Sequence, residues 1–163
     1  RCGNFGLPGQ ECSRAPKCAE EYRARISGPL LDRIDIQIEV PAVSPWDLAD
    51  VRPGESSDEI RKRVIAAREI QKKRFAAFGC PSLLTNSQLK GELLEQAAAL
   101  DNEAKALLLS YADRTAMSAR AYHRTLRLAR TIADLQNENK LLRIHIAEAL
   151  SLRWKTPDYK SRR

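Results

Sequence analysis

Between residues 30 and 40 the chain reads LLDRIDIQIEV, in which Ile34, Ile36, Ile38 and Val40 alternate with Asp35, Gln37 and Glu39. A period of two built on β-branched residues specifies a strand with one buried face. A lone strand leaves its backbone N–H and C=O groups unpaired, so this one needs sheet neighbours that the rest of the sequence does not supply. The expected owner of those neighbours is an α/β domain upstream of Arg1. A start at Arg rather than Met, with no charged leader before an apolar stretch, suits a fragment of a longer protein. Without its sheet, the segment before residue 41 is expected to be poorly ordered or to pair with another molecule.

After the strand the character of the sequence changes. Residues 41–56 are rich in Pro, Gly and Ser and read as a connector. From residue 57 the pattern turns helical. Ser57 is placed to cap a helix over DEIRKRVIAAREIQKKRFAAF, with Ile60, Val64, Ala67 and Ile70 as its apolar stripe. Gly79 can supply the left-handed residue that closes it, and Pro81 prevents its resumption. Further helices are expected over about 87–99 capped by Ser87, about 101–113 capped by Asp101, 118 to about 136 capped by Ser118 and ended by Asn137 and Asn139, and about 143–153 with Ile144, Ile146, Ala147 and Leu150 inward. Five helices with short connections make a bundle over 57–153, followed by a polar tail over 154–163. Ahead of the strand, residues 19–27 read as a short helix or turn.

Lys and Arg total 28 against 21 Asp and Glu, a net charge of +7, and 43% of residues are apolar, which excludes wholesale disorder and a collagen-like repeat. No apolar run approaches the roughly 20 residues of a membrane span. Four cysteines are too few for a disulfide scaffold and suit a reducing cytoplasm. Three of them, Cys2, Cys12 and Cys18, lie in RCGNFGLPGQECSRAPKC, an irregular segment able to turn thiolates toward zinc. A structural zinc takes four ligands, and Cys80, behind a Phe-Gly turn elsewhere, reads as a small buried hydrophobe.

The helix from Ser118 rewards a projection at about 100° per residue. Tyr122, Leu126, Ala129 and Ala133 fall on one side, and Arg120, Arg124 and Arg127 on the other. Such a face is ordinarily just solvated. Arg120, however, sits in the first turn, where its charge opposes the helix dipole unless an anion such as a phosphate is nearby. Arg33, between Asp32 and Asp35 at the entrance to the strand, reads either as a local ion pair or as an arginine at a sheet rim within reach of a phosphate. His123 and His145 show no ligand spacing. The chain has no HExxH and no phosphate-cradling GxxxxGK[ST], so this polypeptide alone should hold no complete catalytic site.

The segments RISGPLLDRIDIQIEVP, GESSDEIRKRV, SARAYHRTLRLARTIADL and IHIAEAL, in that order, closely resemble the C-terminal part of the Mg-chelatase-like AAA+ ATPases of the YifB/ComM family. The resemblance implies a mainly α chain: a helical lid bundle at 57–153 preceded by a short strand and an irregular Cys-containing segment, residues 1–40, from the end of an α/β P-loop ATPase core. It implies ATP and Mg as cofactors of the intact protein, assembly as a hexameric ring, and Walker motifs upstream of this chain. Arg33 matches the arginine finger that reaches the γ-phosphate held by the neighbouring protomer, and Arg120 the sensor 2 arginine that contacts the γ-phosphate within its own protomer. Cys2, Cys12 and Cys18 match three of the family's four cysteines, and the fourth would precede Arg1, which puts zinc occupancy of this fragment in doubt. The function implied is a cytoplasmic motor on DNA, through branch migration or helicase action in natural transformation. The alternative implied by the family name is a chelatase-type or chaperone-like ATPase that remodels a protein partner.

Overall fold

The computed structural model describes residues 12–31, 33–38, 40, 43, 46, 49 and 54–153. These fall into two units, one within Arg1–Gly54 and one within Glu55–Arg163.

In the first unit, α1 spans Lys17–Arg23 and α2 spans Gly28–Leu31. Arg14 braces α1 by a two-pronged bond to the Glu21 carboxylate, at 3.0 Å for each oxygen. The strand expected at Ile34 to Val40 does not form: residues 34–38 and 40 carry no sheet pairing, and Ile36, Ile38 and Val40 are 50%, 70% and 77% exposed. The reason is the one the alternation implies, since no second strand exists among the described residues to complete its ladder.

The second unit is a helical bundle. Helix α3 spans Ser57–Ala77, α4 Gly91–Ala97, α5 Asn102–Thr115, α6 Ala119–Leu135 and α7 Arg143–Ser151, with one 3-10 turn at Asn86–Gln88. No described helix is long and apolar enough to cross a membrane. The cap of α3 is Ser56, not Ser57. Ser56 Oγ accepts from the Glu59 N–H, and the Glu59 carboxylate accepts from the Ser56 N–H at 2.9 Å. That reciprocal box requires an acid three residues on, which Ser56 has and Ser57 lacks. The bond from the Ser56 backbone also holds the Glu59 carboxyl below its ordinary value.

Helix α3 ends as its sequence specifies. Gly79 has φ +70°, the Gly79 N–H donates to Ala76 O and the Cys80 N–H donates to Phe75 O. This is the Schellman closure, and glycine serves it without a Cβ penalty. Asn137, with φ +58°, closes α6 by the same pair of bonds, to Asp134 O and Ala133 O. Asp101 and Ser118 cap α5 and α6. The helix expected over about 87–99 is instead broken: Leu89 and Lys90 are extended between the 3-10 turn and α4. Leu89 is fully buried there, and Asn86 turns its amide into the bundle.

Helix α6 is the central element and packs against α3, α4, α7 and the 3-10 turn, while α5 packs on α7. Ala121, Ala129 and Ala133 line its buried side and let neighbouring helices approach closely, and Phe75, Leu89, Leu94, Leu108, Leu141 and Ile146 fill the core around it. The stripe expected on α3 is only half covered. Ala67 and Phe75 are buried, but Ile60 and Val64 are 42% and 44% exposed, and residues 57–66 all face solvent. Helix α7 buries His145, Ile146, Ala149 and Leu150, whereas Ile144 and Ala147 face outward.

Between α3 and α6 lies a buried polar cluster. Asp134, 1% exposed, accepts from both arms of Arg74, from Gln71 at 3.2 Å, from Asn86 at 2.8 Å and from Arg130 Nε at 3.0 Å. Arg130, equally buried, also donates to the carbonyls of Asn139 and Glu138. Burial alone would raise the Asp134 carboxyl, but donation from Arg74 and Asn86 and the two guanidinium charges outweigh it and hold the group low. Replacing Asp134 with Ala would strand a buried guanidinium, and the expected loss of unfolding free energy is about 3–5 kcal/mol. Arg61→Ala, which removes an exposed pair with Asp58, should cost under about 1 kcal/mol. Urea denaturation of the two variants measures the contrast.

Candidate functional site

The amino end of α6 carries the candidate the sequence singled out. Ser118 is extended at φ −67° and ψ 152°, and its hydroxyl accepts from the Ala121 N–H at 3.1 Å. The first turn contains no acid, and Arg120 stands exposed within it. A guanidinium here adds its charge to the positive pole of the helix. The arrangement therefore suits an anionic ligand, whose charge both groups would favour.

The other two arginines of that face differ from Arg120. Arg127 is half-buried and its Nε donates to the Leu89 carbonyl at 2.9 Å, so it braces the extended link before α4. Arg124 is half-buried one turn below Arg120. His123 is exposed and meets Tyr122 edge to face, with ring centroids 5.8 Å apart.

Arg33 lies just beyond α2, exposed, with its N–H donating to Leu30 O at 3.0 Å. It belongs to the first unit and Arg120 to the second. Asp35 is exposed beside it, and Asp32 lies outside the described residues. Cys2 is also outside them. Cys12 and Cys18 are half-buried before and within α1. Among the described residues no group of three or more His, Cys, Asp or Glu side chains could hold a metal ion, and two thiols alone do not meet the four-ligand need of structural zinc. A shallow cleft in this unit is lined by Arg14, Cys18, Glu21, Tyr22 and Arg25. Cys80 is half-buried rather than buried, because it follows Gly79 in the closure of α3. Arg33 and Arg120 each present an exposed guanidinium, a group whose chemistry matches phosphate oxygens.

Comparison with known proteins decides the family. The family described as magnesium chelatase, subunit ChlI C-terminal, matches residues 54–153, and magnesium chelatase, subunit ChlI, matches residues 1–48. The chain belongs to the magnesium chelatase ChlI family. It is 36% identical to competence protein ComM of Haemophilus influenzae over 140 residues, covering 85% of this chain and 26% of that protein. It is 37% identical to the uncharacterized protein YifB of Escherichia coli over 139 residues, with the same coverage. An uncharacterized protein of Mycobacterium tuberculosis is 34% identical over 146 residues, covering 88% of this chain and 28% of its own length. The chain thus spans about a quarter of the length of the curated relatives it matches. These matches bear out the resemblance carried by LLDRID, SARAY and IHIAEAL.

Sequence reasoning missed the buried polar cluster at the other end of α6. Arg130 and Asp134 are spaced i, i+4 on α6, a pairing signal that could have been read from the sequence. Their partners Gln71, Arg74 and Asn86 lie 48 to 63 residues away and carry no such signal. Arg120→Glu, by removing the charge that opposes the α6 dipole, should leave the bundle folded and raise its stability by about 0.3–1 kcal/mol, read as a higher melting temperature. A core arginine would show the opposite sign.

Proposed function

We propose that the intact protein is an ATP-hydrolysing AAA+ ring motor that acts on DNA, and that this chain supplies its arginine finger, Arg33, and its sensor 2 arginine, Arg120. The observation that carries the reading is Arg120, exposed in the first turn of a serine-capped helix with no acid beside it. A cation kept where the dipole disfavours it makes sense when a phosphate arrives. The matches of residues 1–48 and 54–153 to the two ChlI descriptions support an ATPase core end followed by a lid. The competence name of the Haemophilus relative favours DNA as the substrate. Cytoplasmic action, Mg with ATP, and hexameric assembly come with the same reading.

In the intact motor, Arg33 would place its guanidinium against the γ-phosphate held by the neighbouring protomer and stabilise charge on the transferring phosphoryl group. Arg33→Ala in the full-length protein should lower ATP turnover by about 10³–10⁵-fold while ring assembly and nucleotide binding persist. Turnover that survives in assembled rings removes the assignment.

The basic balance of α3 contributes less to DNA binding than its composition suggests. Seven Lys or Arg lie between Arg61 and Arg74 against one acid. Arg61 and Arg63 pair with Asp58 and Glu55, Arg68 bonds Gln71 and the Leu84 carbonyl, and Arg74 is committed to Asp134. Lys62, Lys72 and Lys73 are exposed to solvent. Binding through these three would give log K a slope against log salt of about −2 to −3, measurable by fluorescence titration of this chain with duplex or single-stranded DNA. The family description favours a second reading, a chelatase-type motor that remodels a protein complex. ATPase stimulation by a protein partner and not by branched or single-stranded DNA would select it.

A further inference from the structure

Helix α7 begins without the Ser, Thr, Asp or Asn that usually caps a helix. Its N-cap is Leu142, and the Leu142 N–H donates to Nδ1 of His145 at 3.0 Å. The imidazole therefore folds back onto the start of its own helix and does the work of the acid in a capping box. On the other side of the ring, Nε2 lies 3.0 Å from Oε1 of Gln136, the residue that terminates α6. His145 is 1% exposed.

These two contacts define the protonation state. Nδ1 faces a donor, so it carries a lone pair, and Nε2 faces an acceptor as assigned, so it carries the hydrogen. The ring is neutral, in the Nε2–H form, and it bridges the residue that follows α6, Gln136, to the residue that precedes α7, Leu142. A second proton on Nδ1 would set N–H against N–H in a site that water does not reach. The Leu142 contact would be lost, and a charge would be left in the core beside another cation.

We propose that the α6–α7 junction is a proton-operated latch, closed when His145 is neutral and opened when Nδ1 takes a proton. The groups that face the ring bear this out. Burial disfavours the charged imidazole first. The Arg130 guanidinium on α6 adds to that, and Glu138 in the connecting loop, Glu148 on α7 and Asp101 ahead of α5 pull the other way without prevailing, so the ring is harder to protonate than free histidine. Arg130 fastens the same loop through the carbonyls of Glu138 and Asn139. Opening at His145 therefore leaves the loop attached at Arg130 and frees the start of α7, which carries Ile146 and the core contacts beyond it.

The sign follows from linkage. An opened junction exposes His145 with an ordinary value near 6.5, and the closed junction holds it lower. Between the two values the open form binds more protons, so the latch is fully closed above about pH 6.5 and weakens as pH falls below it. One proton gives at most about a tenfold rise in the open fraction per pH unit. Asp134, which burial would raise, is held below the ordinary carboxylate value by donation from Arg74 and Asn86 and by the two guanidinium charges.

The test uses the whole chain and two measurements. Long-range nitrogen–proton spectra of the wild-type histidine rings at pH 7 should show His145 with Nδ1 bare and Nε2 protonated. Amide exchange at Leu142, corrected for intrinsic rate, should accelerate by up to about tenfold per unit between pH 6.5 and 5. In His145→Asn, whose amide oxygen can accept from Leu142 without titrating, that acceleration should vanish. A proton found on Nδ1, an imidazole titrating at the ordinary value with Leu142 exchange unchanged, or the same pH slope in His145→Asn would each overturn the latch. The ring spectra need no variant, so the proposal stays testable if His145→Asn does not fold.

Discussion

A single buried carboxylate organises the second unit. Asp134 takes hydrogen bonds from Gln71 and Arg74 on α3, from Asn86 in the 3-10 turn and from Arg130 on its own helix. Its two oxygens are therefore saturated, which is the condition under which a buried charge is tolerable. Two guanidinium groups against one carboxylate would leave a net positive charge in the interior. The carbonyls of Glu138 and Asn139 offset the second by accepting from Arg130. An apolar cluster would hold the same helices together with less demand on geometry. The charged one also sets their register, because a shift of one residue would leave a charge unpaired.

That cluster lies at the carboxyl end of α6, and Arg120 lies at the other end, about 21 Å away along 14 residues of helix. The helix thus behaves as a rigid arm, clamped at one end and offering a cation at the other. The clamp reaches across to α3, whose 21 residues make a rod of about 31 Å. Only its second half is embraced by the bundle, and the buried face formed by Ala67 and Phe75 continues outward through Ile60 and Val64 into solvent. Membership of the ChlI family gives this arrangement its context, since the chain is a quarter-length piece of its curated relatives.

Local chemistry made much of the fold legible. Asp101, Ser118, Gly79 and Asn137 act as their residue types specify, because caps and closures depend on a few neighbouring atoms. Ser56 displaced Ser57 because Glu59, three residues on, completes its box, a local signal that the sequence carries. The other exceptions share one cause, which is that the deciding partner is distant in sequence. The helix expected over about 87–99 broke because Asn86 is drawn to Asp134, and Ile34 to Val40 stayed unpaired because alternation specifies a strand but cannot supply its neighbour. The exposed place of Arg120 in the first turn of α6 was readable from the sequence. Arg33 read from its residues as either a local ion pair or a sheet-rim arginine, and only the resemblance chose between them; it stands exposed beyond α2. His145 read as an isolated histidine because capping by an imidazole leaves no mark in the pattern.

Helix α6 keeps two accounts on opposite sides. Ala121, Ala129 and Ala133 are buried against the rest of the bundle, where an added methylene typically costs about 1–3 kcal/mol. Arg120 touches none of that packing. Mutation can therefore explore the charge, length and reach of the exposed side while the scaffold stays constant, and lineages of this bundle are free to diverge on that face without having to relearn how to fold.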